Sequence, residues 1–278
     1  MRTVKQIITG QPTTDGAGVE LTRIIGQPAL PMLDPFLLLD VFRSDDPRDY
    51  IAGFPPHPHR GFETVTYLLA GKMRHQDNAG HEGVIESGDI QWMTAGKGIV
   101  HSEMPEQENG LLEGFQLWVN LPASHKMSEP VYQEISKEQI PVEVRDGNVK
   151  VRVIAGVTSL GTHGPVMQPL TEPLYLDVSM PDNGTFTESI PATHNAFIYL
   201  IEGGVALGKN HQESLKPREL AVLSQGNDVV ISSTKAQTRF LLIAGKPLQE
   251  PVARGGPFVM NTDDEVRQAF ADYRNNNF

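Results

Sequence analysis

The chain has 278 residues, a formal net charge of −11 and no cluster of Lys or Arg, so it lacks the basic surface with which proteins bind DNA or RNA. It contains no Cys, which excludes disulfides, zinc-thiolate sites and cysteine nucleophiles, and any bound metal must be held by nitrogen and oxygen atoms. No segment has the apolar length of a membrane span, and the first ten residues lack the apolar core of a secretory signal, so we expect a cytoplasmic protein.

The 26 Gly and 21 Pro disfavour long helices and predict many short strands joined by turns. In the first half of the chain, apolar and alternating runs predict strands over 36–42, 64–69, 89–93 and 113–120. The polar residues 77–80 predict a hairpin turn. In the last of these strands Phe115, Leu117 and Val119 alternate on one face, which we expect to lie close to the functional site.

Two runs carry pairs of metal-capable side chains two residues apart, His57 and His59 in the first and His101 and Glu103 in the second. On a helix, residues two apart point about 200° away from each other, whereas on a strand they share one face. Prolines before and between the first two histidines favour an extended chain, because each removes the helical conformation from the preceding residue. The pattern predicts a metal site on two neighbouring strands.

Three imidazoles and one carboxylate suit one divalent ion, which can be Fe, Mn, Ni, Cu, Co or Zn. A closed four-ligand zinc site and a six-coordinate iron, with two positions left for substrate, water or dioxygen, both fit this ligand set. The alternative interpretation is that the histidines fill a polar barrel mouth without binding a metal.

Glu63 follows His59 by four residues and is either a fifth ligand or a carboxylate that orients a ligand. We favour the second role, because Gly61 interrupts the strand register. Arg60 alternates to the opposite face and is expected to be a surface charge or an ion-pair partner. The remaining histidines are interpreted as solvated or structural: His75, His81, His125, His163, His194 and His211.

An internal repeat divides the chain. The run 67–71 resembles 199–203 at an offset of 132 residues, and 85–93 resembles 215–223 in pattern at an offset of 130. Sliding the four candidate ligands by these offsets reaches Ser189, Pro191, Ile231 and Ser233. The second copy is therefore predicted to bind no metal.

The proline-rich segment 121–141 is interpreted as a linker, which gives an N-terminal metal-binding domain over 1–130 and a C-terminal domain over 142–278. A capping-box pattern at 262–265, followed by apolar residues at helical spacing, predicts a short amphipathic helix near the end of the chain.

The runs His57–Tyr67, Thr94–Met104 and Gly256–Thr262 resemble the pirin family of the cupin superfamily, and the resemblance spans nearly the whole chain. It implies an all-β fold of two cupin-type antiparallel β-barrels, a bicupin, with a short C-terminal helix. The first barrel would hold Fe(II), and the second would have lost its ligands.

Residue by residue, the resemblance implies His57, His59, His101 and Glu103 as the iron ligands. Glu63 occupies the carboxylate position of the general cupin motif, which pirins are not thought to use as a ligand.

The resemblance implies two functions. Pirins resemble quercetin 2,3-dioxygenases, which open a flavonol ring with O2 and release carbon monoxide, so the partners would be O2 and a small flavonol-like aromatic substrate. For this reaction our own hypothesis is that Glu103, once it loosens from the metal, accepts the substrate hydroxyl proton as a catalytic base. Animal pirins are described as iron-dependent, redox-sensitive transcriptional coregulators, which would require a regulatory protein partner. No basic localisation run is present, so we favour the dioxygenase and keep the regulatory binding protein as the alternative.

Overall fold

A computed structural model describes residues 1–208 and 213–278 of the chain, and the prediction for His211 lies outside the described residues. The regular structure is almost entirely β, so the all-β prediction is confirmed. The first twelve strands are β1 (Val4–Thr9), β2 (Gln11–Asp15), β3 (Val19–Ile25), β4 (Phe36–Ser44), β5 (Phe54–His59), β6 (Phe62–Ala70), β7 (Lys72–Asp77), β8 (Glu82–Glu86), β9 (Ile90–Thr94), β10 (Ile99–Pro105), β11 (Leu112–Asn120) and β12 (Val131–Ile135).

The other strands are β13 (Val142–Arg145), β14 (Val149–Ala155), β15 (Leu174–Met180), β16 (Thr185–Ser189), β17 (Asn195–Glu202), β18 (Val205–Leu207), β19 (Glu213–Leu215), β20 (Glu219–Leu223), β21 (Asp228–Ser233), β22 (Thr238–Gly245), β23 (Ala253–Gly255) and β24 (Phe258–Met260). The helical segments are three single 3-10 turns and one α-helix: Pro47–Asp49, Ala123–His125, Asp146–Asn148 and α1 (Asp263–Arg274). None of these helical segments has the length that a bilayer crossing would need.

The chain forms two compact units. The histidine unit contains residues 11–32, 36–137 and 248–278. Its two main sheets are antiparallel, with strand orders β12-β9-β6-β11-β4-β3-β2 and β5-β10-β7-β8, and β23 and β24 form a separate hairpin.

The apolar unit contains residues 1–10, 33–35 and 138–247. Its sheets have the orders β1-β20-β17-β22-β15-β14-β13 and β16-β21-β18-β19. Each strand of the two main sheets of one unit therefore has a counterpart in the other, as the sequence repeat predicted, whereas the hairpin of β23 and β24 has no counterpart among the described residues. Tyr67 pairs with Ile90 in the histidine unit, and Tyr199 pairs with Leu220 at the same place in the apolar unit.

The units differ from the predicted domains, 1–130 and 142–278, at both ends of the chain. β1 pairs with β20 and so joins the apolar unit, whereas residues 248–278 belong to the histidine unit. The segment 121–141 is also more than a linker, because it contains β12, which pairs with β9. The domain boundaries at residues 130 and 142 stay a prediction.

The predicted C-terminal helix is confirmed as α1, and its capping box is complete: the Thr262 hydroxyl accepts from the backbone N–H of Glu265, whose side chain accepts from the backbone N–H of Thr262. Of the two roles predicted for Arg60, the structure shows the ion-pair partner: Arg60 is buried rather than at the surface, and its guanidinium donates to Asp272 of α1 at 2.6 Å. Its guanidinium also lies 4.4 Å from the ring centre of Phe278. The helix is therefore held beside the end of β5.

Candidate metal centre

Both ligand-bearing runs form strands, and these strands are neighbours, as predicted. In the ladder between β5 and β10, His57 lies opposite His101. A glycine flanks each run: Gly61 follows the first pair of ligands and Gly96 precedes the second. The N–H of Gly61 donates to the carbonyl of Gly96 at 2.8 Å. Gly61 has a φ of +88°, and a β-carbon there would lie 2.0 Å from the carbonyl oxygen of Val259, so only glycine fits.

Three histidines converge at the centre of this ladder. Nε2 of His57 lies 3.0 Å from Nε2 of His59, and the ring centres of His57 and His59 lie 4.6 and 5.1 Å from that of His101. His59 and His101 are buried, whereas His57 is partly exposed. One nitrogen from each ring lies within 4.8 Å of the others, so the three rings form one group of metal-capable atoms.

Glu103 belongs to a second, overlapping group with His75 and His101. His75, interpreted from the sequence as a solvated or structural histidine beside a turn, is buried, and its Nδ1 lies 3.6 Å from Glu103 Oε1. The reason is the length of β7, which continues to Asp77 and places His75 opposite Glu103 in the ladder with β10. The Thr66 hydroxyl lies 3.1 Å from Glu103 Oε1 and 2.6 Å from Gln116 Oε1, within hydrogen-bond distance of both.

Burial controls the charge of the histidines. It lowers the pKa of His59 and of His101 well below the ordinary histidine value, and the neighbouring imidazoles lower both further. Burial also lowers the pKa of His75, although Glu103 opposes this effect. These imidazoles are therefore neutral near pH 7, which is the form that coordinates a metal ion.

The group fits a divalent metal ion. Neither ring nitrogen of His101 has a hydrogen-bond partner among the described residues, although buried polar atoms are normally bonded. The 3.0 Å between the ring nitrogens of His57 and His59 is also close to the separation expected for two ligands at right angles with metal bonds of about 2.1 Å. Imidazole nitrogen with a carboxylate suits first-row ions rather than calcium.

Glu63 lies outside both groups of metal-capable atoms within the described chain. It is fully buried at the start of β6 and accepts a hydrogen bond from the Thr94 hydroxyl at 2.6 Å. The left-handed Gly61 separates β5 from β6, as the sequence indicated, so Glu63 does not continue the face of His59. Its role in orienting a ligand stays a prediction.

A cavity of about 610 Å³ opens beside the histidines. Its wall includes Gln116 and Trp118 of β11, whereas Phe115, Leu117 and Val119 are not among the lining residues. The prediction that the apolar face of β11 lies close to the site is thus wrong. Alternate residues point to opposite sides of the strand, and the side with Gln116 and Trp118 faces the cavity. The Trp118 ring meets the edge of the His59 ring at 5.3 Å between centres.

The charged residues on the cavity wall were not predicted from the sequence. Arg23 of β3 donates to both carboxylate oxygens of Asp40 at 2.9 and 2.7 Å. The guanidinium of Arg254 lies 4.7 Å from the centre of the Trp118 ring. One usable signal was Asp40 itself, since a carboxylate inside the apolar run Phe36–Phe42 requires a buried cationic partner. Arg254 is too distant in sequence for any local pattern to reveal it.

Within the described part of the apolar unit there is no such group, but the residues at the corresponding positions differ in part from the predicted ones. At the sequence offset of 130 residues, His101 corresponds to Ile231 and Glu103 to Ser233. With this alignment, the ladder partners place Phe186 and Glu188 at the positions of His57 and His59, rather than Ser189 and Pro191. The connection between β16 and β17 has five residues, whereas the connection between β5 and β6 has two. The sequence offset between the two copies is therefore 129 residues before this connection and 132 after it.

Glu188 is the one replacement that could donate to a metal, and it is already engaged. It is fully buried, and its carboxylate accepts from Arg145 at 2.6 Å and from the backbone N–H of Ser159 at 2.7 Å. Its ladder partner Val229 is apolar, and so is the next inward-facing pair of the same two strands, Phe186 and Ile231.

Comparison with known proteins gives two family matches. Residues 18–119 match the pirin model, and residues 175–278 match the model of the pirin C-terminal cupin domain. A pirin-like protein from Caulobacter vibrioides is 51% identical over 100% of this chain and 99% of its own length.

Two further relatives carry a dioxygenase name. A protein from Pseudomonas aeruginosa, provisionally named a quercetin 2,3-dioxygenase, is 48% identical over 98% of this chain and 96% of its own. The crystal structure of a quercetin 2,3-dioxygenase from Acinetobacter baumannii matches with a TM-score of 0.91 and 33% identity, covering 100% of this chain and 98% of that one. The predicted fold of two cupin-type barrels with a C-terminal helix is confirmed.

Proposed function

We propose that this chain, which belongs to the pirin family, is a metal-dependent dioxygenase that opens the flavonol ring of quercetin with O2. The observation that carries the proposal is a pair of overlapping groups of metal-capable side chains beside a cavity of about 610 Å³, which is large enough for a flavonol. His57, His59 and His101 form one group, and His101 also belongs to the other, with His75 and Glu103. Two relatives with quercetin 2,3-dioxygenase names support the choice of reaction. The proposal includes the cytoplasmic location expected from the sequence.

The metal would be held by His57, His59, His101 and Glu103. Fe(II) is the ion that the family resemblance implies, and Mn, Ni, Cu, Co and Zn are compatible with the same donors. When bound, such an ion supplies Lewis acidity, which lowers the pKa of a substrate hydroxyl and favours the electron-rich anion that reacts with O2.

Glu103 is the proposed catalytic base. Its carboxylate is buried beside the cavity, so a proton from the flavonol 3-hydroxyl can pass to Oε1 without exchange with bulk water. The Thr66 hydroxyl at 3.1 Å and His75 Nδ1 at 3.6 Å restrict this carboxylate from two sides. We assign them a positioning role.

The cavity wall favours a planar aromatic substrate. Phe42, Phe54 and Trp118 supply apolar surface, and Gln116 and Thr66 supply hydrogen-bonding groups next to the carboxylate. Aromatic walls bury a flat ring and exclude water around it.

The test combines metal analysis with O2 consumption. Protein reconstituted separately with each of the six metals is given quercetin, and carbon monoxide release is followed. We expect turnover in proportion to bound metal, and Glu103→Gln should lower it by about 100-fold or more. Glu113→Gln is the control, because it removes a carboxylate of the histidine unit that is outside the ligand groups and does not line the cavity, and it should leave metal content unchanged.

Absence of O2 consumption with every metal would overturn the dioxygenase assignment. Full metal content and undiminished turnover in Glu103→Gln would overturn the role of Glu103 as base.

A further inference from the structure

The cavity beside the histidines contains two arginines, and only one of them is paired. Arg23 is bonded to Asp40 and also to Asp15 at 2.9 Å. Arg254, whose side chain is exposed at the cavity, has no ion pair or side-chain hydrogen bond among the described residues. Both carboxylates near Arg254 are thus already bonded to Arg23, and the guanidinium of Arg254 faces the cavity without a counter-ion.

Arg254 is held in a defined place. It lies on β23, and the next strand of the hairpin, β24, is fixed by two hydrogen bonds of Val259: its N–H donates to the Arg60 carbonyl at 3.0 Å, and its carbonyl accepts from Lys126 Nζ at 2.9 Å. The guanidinium then lies over the Trp118 ring at 4.7 Å. Because the same indole contacts His59, Arg254 is presented one ring away from the metal-capable group.

The charge of Arg254 is only partly neutralised by its surroundings. Burial lowers the pKa of Arg254 and nearby Arg23 lowers it further, whereas Asp40 and Asp15 oppose this shift without reversing it. The whole chain carries a formal charge of −11, which repels anions from most of its surface. A fixed guanidinium in the cavity is therefore the feature by which an anionic ligand would be recognised.

We propose that Arg254 makes the cavity selective for planar aromatic ligands that carry a carboxylate. The ring system would lie along Trp118, the carboxylate would accept two parallel hydrogen bonds from the guanidinium, and another ligand oxygen would face the histidines. Only the role of that second oxygen rests on the proposed dioxygenase function, since the preference for an anion does not depend on turnover.

The experiment measures binding without reaction. Isothermal titration calorimetry under nitrogen, on the metal-loaded protein, compares a flavonol that carries a carboxylate on its pendant ring with the methyl ester of the same compound. Arg254→Met should weaken carboxylate binding by about 10- to 100-fold and ester binding by less than about twofold. Arg254→Lys should give an intermediate loss, because the charge remains but the two-donor geometry is lost.

Arg267→Met is the matched control, because it removes an exposed arginine of α1 that does not line the cavity, and it should change neither affinity. Higher NaCl should weaken only the carboxylate ligand. Equal losses for both ligands in Arg254→Met, or no loss for either, would overturn the proposal.

Turnover is measured separately on the same proteins. A carboxylate preference that depends on Arg254, without O2 consumption, would support the anion site and overturn the dioxygenase function. O2 consumption without any carboxylate preference would overturn the anion site alone.

Discussion

The two units use the same strand order for opposite interiors. In the apolar unit, Phe186, Val205 and Ile231 belong to a continuous hydrophobic core, whereas the corresponding strands of the histidine unit carry His57, His75 and His101. Burying one large apolar side chain stabilises a protein by about 1.5–3 kcal/mol, whereas a buried polar group without a partner costs about 1–3 kcal/mol. The histidines therefore weaken the fold that surrounds them, which is the expected sign of residues kept for chemistry.

The comparison also shows that the strand framework forms without metal-capable side chains. The apolar unit builds both sheets with a phenylalanine, a valine and an isoleucine at the positions described above. A structural explanation of the histidines would require similar residues in both copies, and the second copy lacks them.

The largest expected effect comes from an attempt to make the apolar unit resemble the histidine unit. Glu188→His places a histidine at the position that corresponds to His59, but it removes a carboxylate bonded to the partly buried Arg145. We expect a loss of about 3 kcal/mol in the free energy of unfolding and no gain of metal binding, because Arg145 keeps only Glu143 as a carboxylate partner and the backbone N–H of Ser159 loses its acceptor. Urea denaturation and metal analysis measure both.

Thr187→His, on an exposed neighbouring position of β16, is the control and should cost far less. A stable Glu188→His protein with a second bound metal would show that the apolar unit retains a latent site.

The converse change should remove the metal from the histidine unit. His101→Ile copies Ile231 and deletes the residue shared by both ligand groups. We expect metal affinity to fall by more than about 100-fold, since even the loss of an outer partner costs 10- to 100-fold. The metal-free form should be at least as stable as the parent, because an unbonded buried imidazole is replaced by an apolar side chain.

Metal analysis by mass spectrometry and thermal unfolding in chelator check this pair of expectations. His194→Asn, in the apolar unit, should leave the bound metal unchanged. Full metal content in His101→Ile would contradict the assignment of His101 as a ligand.

A smaller, pH-dependent effect belongs to Lys126. Its ammonium is buried and donates to the carbonyls of Gly61 and Val259 and to Asn120 Oδ1, and burial lowers the pKa of Lys126 to about 8. The unfolded chain then binds this proton more strongly than the folded one, so the stability contributed by Lys126 rises as pH increases from about 8 towards 10.5.

From pH 7.5 to 9.5 the parent should gain about 2 kcal/mol relative to Lys126→Met, because the lowered pKa is the source of the difference. Denaturation curves at both pH values give this change, and Lys97→Met, which removes a half-exposed lysine, serves as control. Parallel pH dependence in the parent and in Lys126→Met would show that Lys126 titrates normally.

The smallest effect concerns the position of Glu103. Thr66→Val keeps the shape of the side chain and removes the hydroxyl 3.1 Å from Glu103 Oε1. We expect about a 10-fold loss in metal affinity, which is the low end for outer partners of a metal site. Thr94→Val removes the corresponding hydroxyl beside Glu63, and it should have no such effect if Glu63 stands outside the site. Equal losses in the two variants would instead assign Glu63 an indirect role in the site.

The sequence predicted the features that depend on local pattern. The two-residue spacing of His57 and His59 correctly predicted that both lie on one strand. The capping box at Thr262 correctly predicted where the helix begins. The repeat predicted that the second copy lacks the ligands, although the three extra residues between β16 and β17 shifted the alignment of its first two positions.

Features that depend on distant segments were beyond local pattern. The alternation of β11 identified two faces but not which one lines the cavity, because that depends on the strands paired on either side. His75 was misread since nothing local shows that β7 pairs with β10. Arg60 and Arg254 acquire their places only through contacts with segments far away in the sequence.

The exchange of chain ends between the units has a consequence for synthesis on the ribosome. The histidine unit needs the hairpin of β23 and β24, which supplies the Val259 carbonyl to Lys126, and these strands are translated after the whole apolar unit. Domains emerging from the ribosome usually fold from the N-terminus onward. In this chain the histidine unit is begun first but completed last, because residues 248–278 belong to it. An mRNA truncated after the first repeat would therefore encode the four candidate ligands without the hairpin of β23 and β24.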